Sequence, residues 1–124
     1  MSKTNSLREI IQNKIDPIVK NYYRFASTTK IFPHAVYDFE SIDLLDILRD
    51  DLILIVDVWD QGKDTSRAED IADQIEKLFN AANLPGEDVL PTFYRISRKP
   101  IDDEDKTMIH RQLKFQIQNY DRGG

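Results

Sequence analysis

The chain has two histidines, His34 and His110, and neither has the neighbours that chemistry needs. No second histidine lies at ligand spacing, and there are no cysteines, so zinc patterns, thiol catalysis and disulfides drop out together. Both histidines read as surface or loop-anchoring residues. Carboxylates are plentiful: Asp50 with Asp51, Asp57 with Asp60, and the run Asp102-Asp-Glu-Asp105. Such groups suit divalent ions, but a calcium loop needs a central glycine and a closing glutamate, and neither is in place. The acidic run reads as a solvated hairpin tip. Asp57 shares an apolar strand face with Trp59, where burial without a partner would raise its pKa.

Nucleophilic and phosphate chemistry fare no better. The hydroxyl side chains fall mostly at helix starts or in loops, with no supporting histidine and acid. Only four glycines occur and two are the last residues, so no phosphate-cradling loop exists. The reading is therefore no catalytic residue, no cofactor and no metal. Arg95, Arg98, Lys99, Arg111 and Lys114 lie near Phe93 and Tyr94, a faint likeness to a sheet that binds single-stranded nucleic acid.

The length of 124 residues predicts one domain, 1–124, with 1–5 and 121–124 as flexible ends. The net charge is −5, which argues against duplex DNA as the main partner. No apolar run approaches the roughly 18 residues of a membrane span, so no membrane partner is expected. The N-terminus is polar and lacks the apolar stretch of a signal peptide, so the simplest assignment is cytoplasmic.

The elements follow from periodicity. Leu7, Ile10, Ile11, Ile15, Ile18, Val19 and Tyr22 fall near helical spacing after Ser6-Leu-Arg-Glu9, which has capping-box spacing. Pro17 predicts a kink near Asp16, or an end and restart there. His34 to Glu40 alternates and reads as a half-buried strand. Ser41 to Asp50 is read as strand–loop–strand. Asp51 to Asp60 has two apolar faces, which marks a central strand. Ser66-Arg-Ala-Glu69 opens a second helix whose apolar face runs from Ala68 to Ala82, ended by Asn83 and Pro85-Gly86. Thr92 to Arg98 reads as a strand with mixed faces, Lys99 to Lys106 as a polar loop, and His110 to Tyr120 as a strand with Leu113, Phe115 and Ile117 on one side. The order helix-strand-strand-helix-strand-strand predicts a two-layer α+β domain: a four-stranded, mainly antiparallel sheet with two helices on one face. A sheet of that kind has two edges to manage, and Phe32, Trp59 and Tyr120 are large groups at element ends, of the type enriched at interfaces.

Three stretches carry a family resemblance: Phe32-Pro-His-Ala-Val-Tyr-Asp-Phe-Glu40, Arg49 to Asp60 with its Asp57-Val-Trp59 end, and the helix Ala68 to Leu84. They resemble the tail completion and tail terminator (head–tail joining) proteins of long-tailed bacteriophages. The closing segment Asp103 to Tyr120 resembles small proteins of the head–tail gene cluster in phages and prophages of Gram-positive bacteria. The resemblance implies a non-enzymatic virion assembly protein, made in the host cytoplasm and placed at the head–tail junction. It implies a homo-oligomeric ring, usually a hexamer, that caps the tail tube, stops its polymerisation and meets head connector proteins, while DNA only passes through the lumen. By the same analogy Asp38, Glu40, Asp57 and Asp60 would be lumen or inter-subunit charges, an acidic lumen repelling DNA. Phe32, Trp59, Arg98, Arg111 and Tyr120 would be subunit or partner contacts. The loops Ser41 to Asp50 and Lys99 to Lys106 would meet neighbouring rings. The alternatives are a head-completion or connector-adaptor protein of the same junction, a small nucleic-acid-binding domain and, last, a small hydrolase.

Overall fold

Leu54, Val56 and Val58 are fully buried, while Ile53, Ile55 and Asp57, which alternate with them, are only half-buried. That alternation is the pleat of a strand with one face on the core and one partly open. In the computed structural model, which describes residues 2–25, 31–41, 49–86 and 89–121, this strand is β3 (Arg49–Gln61). It lies third in one sheet. Before it in the chain come helix α1 (Lys3–Ile15), strand β1 (Asn21–Tyr23) and strand β2 (His34–Ser41). After it come helix α2 (Ser66–Leu78) and strands β4 (Ala82–Asn83), β5 (Val89–Ile101) and β6 (Met108–Asp121). The spatial order is β1-β2-β3-β6-β5-β4. Every neighbouring pair is antiparallel except β1 with β2, which is parallel.

The α+β class stands, but the four-stranded, mainly antiparallel sheet predicted above does not: the sheet has six strands and is mixed. The two extra strands are the short edge pieces β1 and β4, three and two residues long. Neither is long enough to express a period of two, and their residues extend the helical stripes that precede them. Tyr22 continues the spacing of α1, yet α1 stops at Ile15, where Pro17 lacks the N–H that a further turn would use. The chain then turns and Ala35 N–H donates to Lys20 O at 2.8 Å, which sets β1 beside β2. Likewise α2 ends at Leu78, and Ala81 adopts φ 53°, which swings Ala82 and Asn83 onto β5 instead of prolonging the helix.

The helix starts also differ in detail. Ser2, not Ser6, caps α1, its Oγ accepting from Asn5 N–H at 3.1 Å; Ser6 is buried within the helix. At α2 the cap position is Thr65, and Asp64 Oδ1 accepts from Ser66 N–H at 2.9 Å. The predicted loop before β6 begins later than Lys99, because β5 runs to Ile101. Of the segment Ser41 to Asp50, residues 42–48 lie outside the described residues, as do 26–30, residue 1 and 122–124 of the predicted flexible ends.

Ile11 and Ile15 of α1 and Ile71, Ile75 and Phe79 beside or within α2 join one buried cluster with Tyr37, Leu54, Val56, Leu113, Phe115 and Ile117. These strand residues share one face through the register Tyr37–Val56–Leu113 and Leu54–Phe115. Both helices therefore cover the same side of the sheet. Among the described residues no helix covers the other side.

A bulge sets which arginines face α2. β5 pairs β6 as Arg95–Phe115 and then Ser97–Lys114, so Ile96 is an extra residue. One inserted residue inverts the alternation after it. Arg95 and Arg98, which plain alternation would put on opposite faces, both turn to the helix side. This is why the segment Thr92 to Arg98 reads as mixed-faced in sequence.

Candidate functional site

The uncovered face carries the residues that are not committed to the core. Its centre is β3 and β6, with Ile53, Ile55, Asp57 and Trp59 opposite Gln116, Lys114, Gln112 and His110. The indole of Trp59 stacks on His110, ring centroids 3.8 Å apart and planes at 19°. His110 Nε2 lies 2.6 Å from Asp57 Oδ1, and Gln112 Nε2 donates to the same oxygen at 3.1 Å. Asp57 is thus a partnered carboxylate, with a histidine and an amide beside it. The strand register makes this cluster, since His110 and Gln112 are 53 and 55 residues away in the chain. His34, the other histidine, is buried, with Nδ1 3.0 Å from Ile31 O, as a loop anchor would be.

At one end of this face an open groove of about 570 Å³ is lined by Phe25, Phe32, His34, Trp59, Asp103 and Asp105, among others. Its floor is aromatic, and its rim carries Asp103, Asp105 and Arg24. Phe32 packs against the His34 ring at 5.1 Å between centroids. Phe25, which lines it, is 79% exposed, and Ile31, next to Phe32 in the chain, is 60% exposed, which is unusual for side chains of that size. Asp103 Oδ1 accepts from Asp105 N–H at 2.8 Å, and Asp105 Oδ1 accepts from Thr107 N–H and Oγ1–H at 2.9 and 2.7 Å. These bonds shape the hairpin tip and hold the Asp105 carboxyl below its ordinary pKa.

The sequence-selected residues divide between the two faces. Phe32, Trp59 and Asp57 meet at the groove end. Asp38 and Glu40 stand on the same face further along β2, and Asp38 Oδ1 accepts from Arg24 Nε at 3.1 Å. Tyr120 is on that face at the far end of β6, 45% exposed. Arg98, Arg111 and Asp60 are turned to the helix side. Asp60 is 1% exposed and receives Arg67 NH2 at 2.6 Å and Nε at 2.9 Å, which lowers its pKa against the opposing effect of burial. Arg98 pairs with Asp73 and with Glu76 at 3.2 Å, and Arg111 Nε donates to Glu69 Oε1 at 2.7 Å. Arg95 reaches Glu76 at 2.9 Å. The arginines grouped in sequence as a possible nucleic-acid surface are thus ion-paired to the acidic side of α2. Sequence reasoning also passed over Phe25, Ile31 and Met108, because residues in loops or at the first position of a strand show no periodicity that would mark them.

Among the described residues no group of three or more His, Cys, Asp or Glu is placed to hold a metal ion, and no helix is long and apolar enough to cross a membrane.

The arrangement is a two-layer α+β domain: two helices on one side of a mixed six-stranded sheet, and an aromatic groove on the other. A chain in the solved virion of a native gene transfer agent particle has this fold, with TM-score 0.77 and 11% identity over 94% of this chain and 96% of that one. A second solved chain, known only by a sequence identifier, matches over 100% of this chain and 99% of its own, with TM-score 0.68 and 11% identity. At such identities the likeness establishes a shared fold. No family model and no curated protein matches the chain.

Proposed function

We propose that this chain is a non-enzymatic assembly protein of a phage or phage-like virion, and that it acts as a ring-forming tail terminator joining tail to head. The observation that carries the proposal is the end-to-end likeness to a chain of the gene transfer agent virion, which spans nearly the whole of both chains. The motifs at Phe32 to Glu40 and at Asp57 to Trp59 give the same reading independently, from sequence. The uncovered sheet face supports it, since half-buried apolar side chains beside an aromatic groove suit association with protein. Pairing of Arg95, Arg98 and Arg111 with α2 favours this reading over nucleic-acid binding, which needs free cations.

In the proposed ring Asp38, Glu40 and Asp57 are the lumen-facing or inter-subunit charges, and Phe32, Trp59 and Tyr120 the contacts to a neighbouring subunit or the tube. Purified tail-tube protein polymerised with this chain gives short tubes capped at one end, seen by electron microscopy. Tubes of unrestricted length would count against the terminator role, and a basic lumen in an assembled ring would refute the charge assignment.

A further inference from the structure

The outer edge of β5 carries the converse chemistry. Among the described residues β4 pairs β5 only at Thr92 and Phe93, so from Tyr94 to Ile101 the outer edge of β5 has no partner strand. Along this edge Ile96, the bulged residue, is 49% exposed and Tyr94 41% exposed. Lys99 is exposed and makes no ion pair among the described residues. The groove presents the reverse: an aromatic floor at Phe32 and Trp59, and a rim where Asp103 and Asp105 pair with no described cation, while Arg24, which also lines it, is paired with Asp38 at 3.1 Å. One surface is apolar with a free positive charge, the other apolar with free negative charge.

We propose that the free β5 edge of one copy seats in the Phe32–Trp59 groove of the next copy, with Ile96 on the aromatic floor and Lys99 against Asp103 and Asp105. This inference rests on the ring reading above and names the surfaces that close the ring. Complementary charge at an interface sets partner and orientation. The two surfaces differ, so the contact is heterologous, the type that makes rings or filaments. On the sheet the groove is built on His34 and Val36 of β2, three strand spacings from β5, roughly 14 Å, while its rim residues Asp103 and Asp105 belong to the turn between β5 and β6. Lys99 is level with the inner end of the groove. Lys99, Gln112, Asp57 and Val36 form a single row across the sheet, and Val36 lines the groove. Trp59 and His34 stand two residues further along, in the row of Ile101.

The absence of native cysteine makes the test direct. Ile96→Cys and Met108→Cys place one thiol on each surface. They are oxidised mildly with purified tail tubes present, singly, mixed, and combined in one chain. The mixture is expected to give a disulfide dimer, and the combined variant a ladder ending at the ring. Each variant alone is expected to give neither. A dimer from one variant alone, or no product from the mixture and the combined variant, overturns the contact. In a second arm, Lys99→Glu and Asp103→Lys, each checked for folding by circular dichroism, are built into the combined variant. Either change is expected to cut the ladder several-fold and the two together to restore it; yields unmoved by either change would also overturn the contact. Capped tubes without a ladder would leave the terminator role standing and remove only this contact. A ladder with unrestricted tubes would keep the contact and remove the terminator role.

Discussion

On the helix side of β6, Leu113, Phe115 and Ile117 are fully buried; on the other, Gln112, Lys114, Gln116 and Gln118 are half-buried and no described helix lies over them. The same contrast runs through β3, where Leu54, Val56 and Val58 are sealed and Ile53, Ile55 and Trp59 are not. The sealed face gains the transfer of apolar area from water and the close packing of an interior. The uncovered face keeps side chains that a second protein could bury. Stability and association are thereby placed on residues one position apart in the chain. Substitutions on the two faces should then differ in kind: one set unfolds the domain, the other leaves it folded and alters what it binds.

The largest effect should come from Phe115→Ala. The ring is fully buried and packs against Phe79 at 5.4 Å between centroids. Its loss is expected to cost about 3–5 kcal/mol in urea unfolding. A cost near that of an exposed site would break the distinction between faces. Next is the rim of the sealed face, where Arg98 ties β5 to Glu69, Asp73 and Glu76 around α2. Arg98→Ala should cost about 1–2 kcal/mol, since hydrogen bonds to charged groups are the stronger kind but the site is partly wet. The difference from wild type should narrow in 1 M salt, with the Debye length then about 3 Å; a salt-independent cost would assign the effect to packing alone.

The sealed face also holds a polar flaw at Asn119. Asn119 is 1% exposed, and among the described residues neither its amide nitrogen nor its oxygen has a hydrogen-bond partner. Asn119→Leu should raise stability by about 1 kcal/mol, because an unsatisfied buried amide is replaced by an apolar group of similar size. A loss of stability would mean the amide is needed there.

Asp60 sharpens the contrast through pH. Its folded pKa is lowered by Arg67, so its stabilisation is present above the ordinary carboxylate value of about 3.9 and is lost as pH falls through the lower folded value. Asp60→Asn should flatten the acid limb of stability below about pH 4. An unchanged limb would place acid sensitivity elsewhere. The smallest effect is expected on the open side, where Gln116→Ala should shift stability by no more than about 0.5 kcal/mol.

Much of the fold is legible in particular residues. Leu113, Phe115 and Ile117 alternate with Lys114 and Gln116, and they mark both the strand and its buried side. Ile71, Ala72 and Ile75 mark the inner stripe of α2. Three features resist such reading. Asn21–Tyr23 and Ala82–Asn83 are strands only because β2 and β5 lie alongside to receive their hydrogen bonds. The bulge at Ile96 exists only relative to β6, and it alone turns Arg98 toward α2. Trp59 is legible as a contact residue by its size, but its stacking on His110 depends on a register between strands some fifty residues apart.

By itself the sequence determined what is local: where the chain becomes helix or long strand, which side of each is apolar, and that no thiol chemistry is open to it. The tertiary structure alone decided which strands are neighbours, which charges are neutralised within the chain, and that Phe32, Trp59 and the β5–β6 turn meet around one aromatic groove. The physical reason is range. Periodicity and capping act over a few residues, whereas pairing, burial of a charge and the shape of a surface depend on groups that only folding brings together.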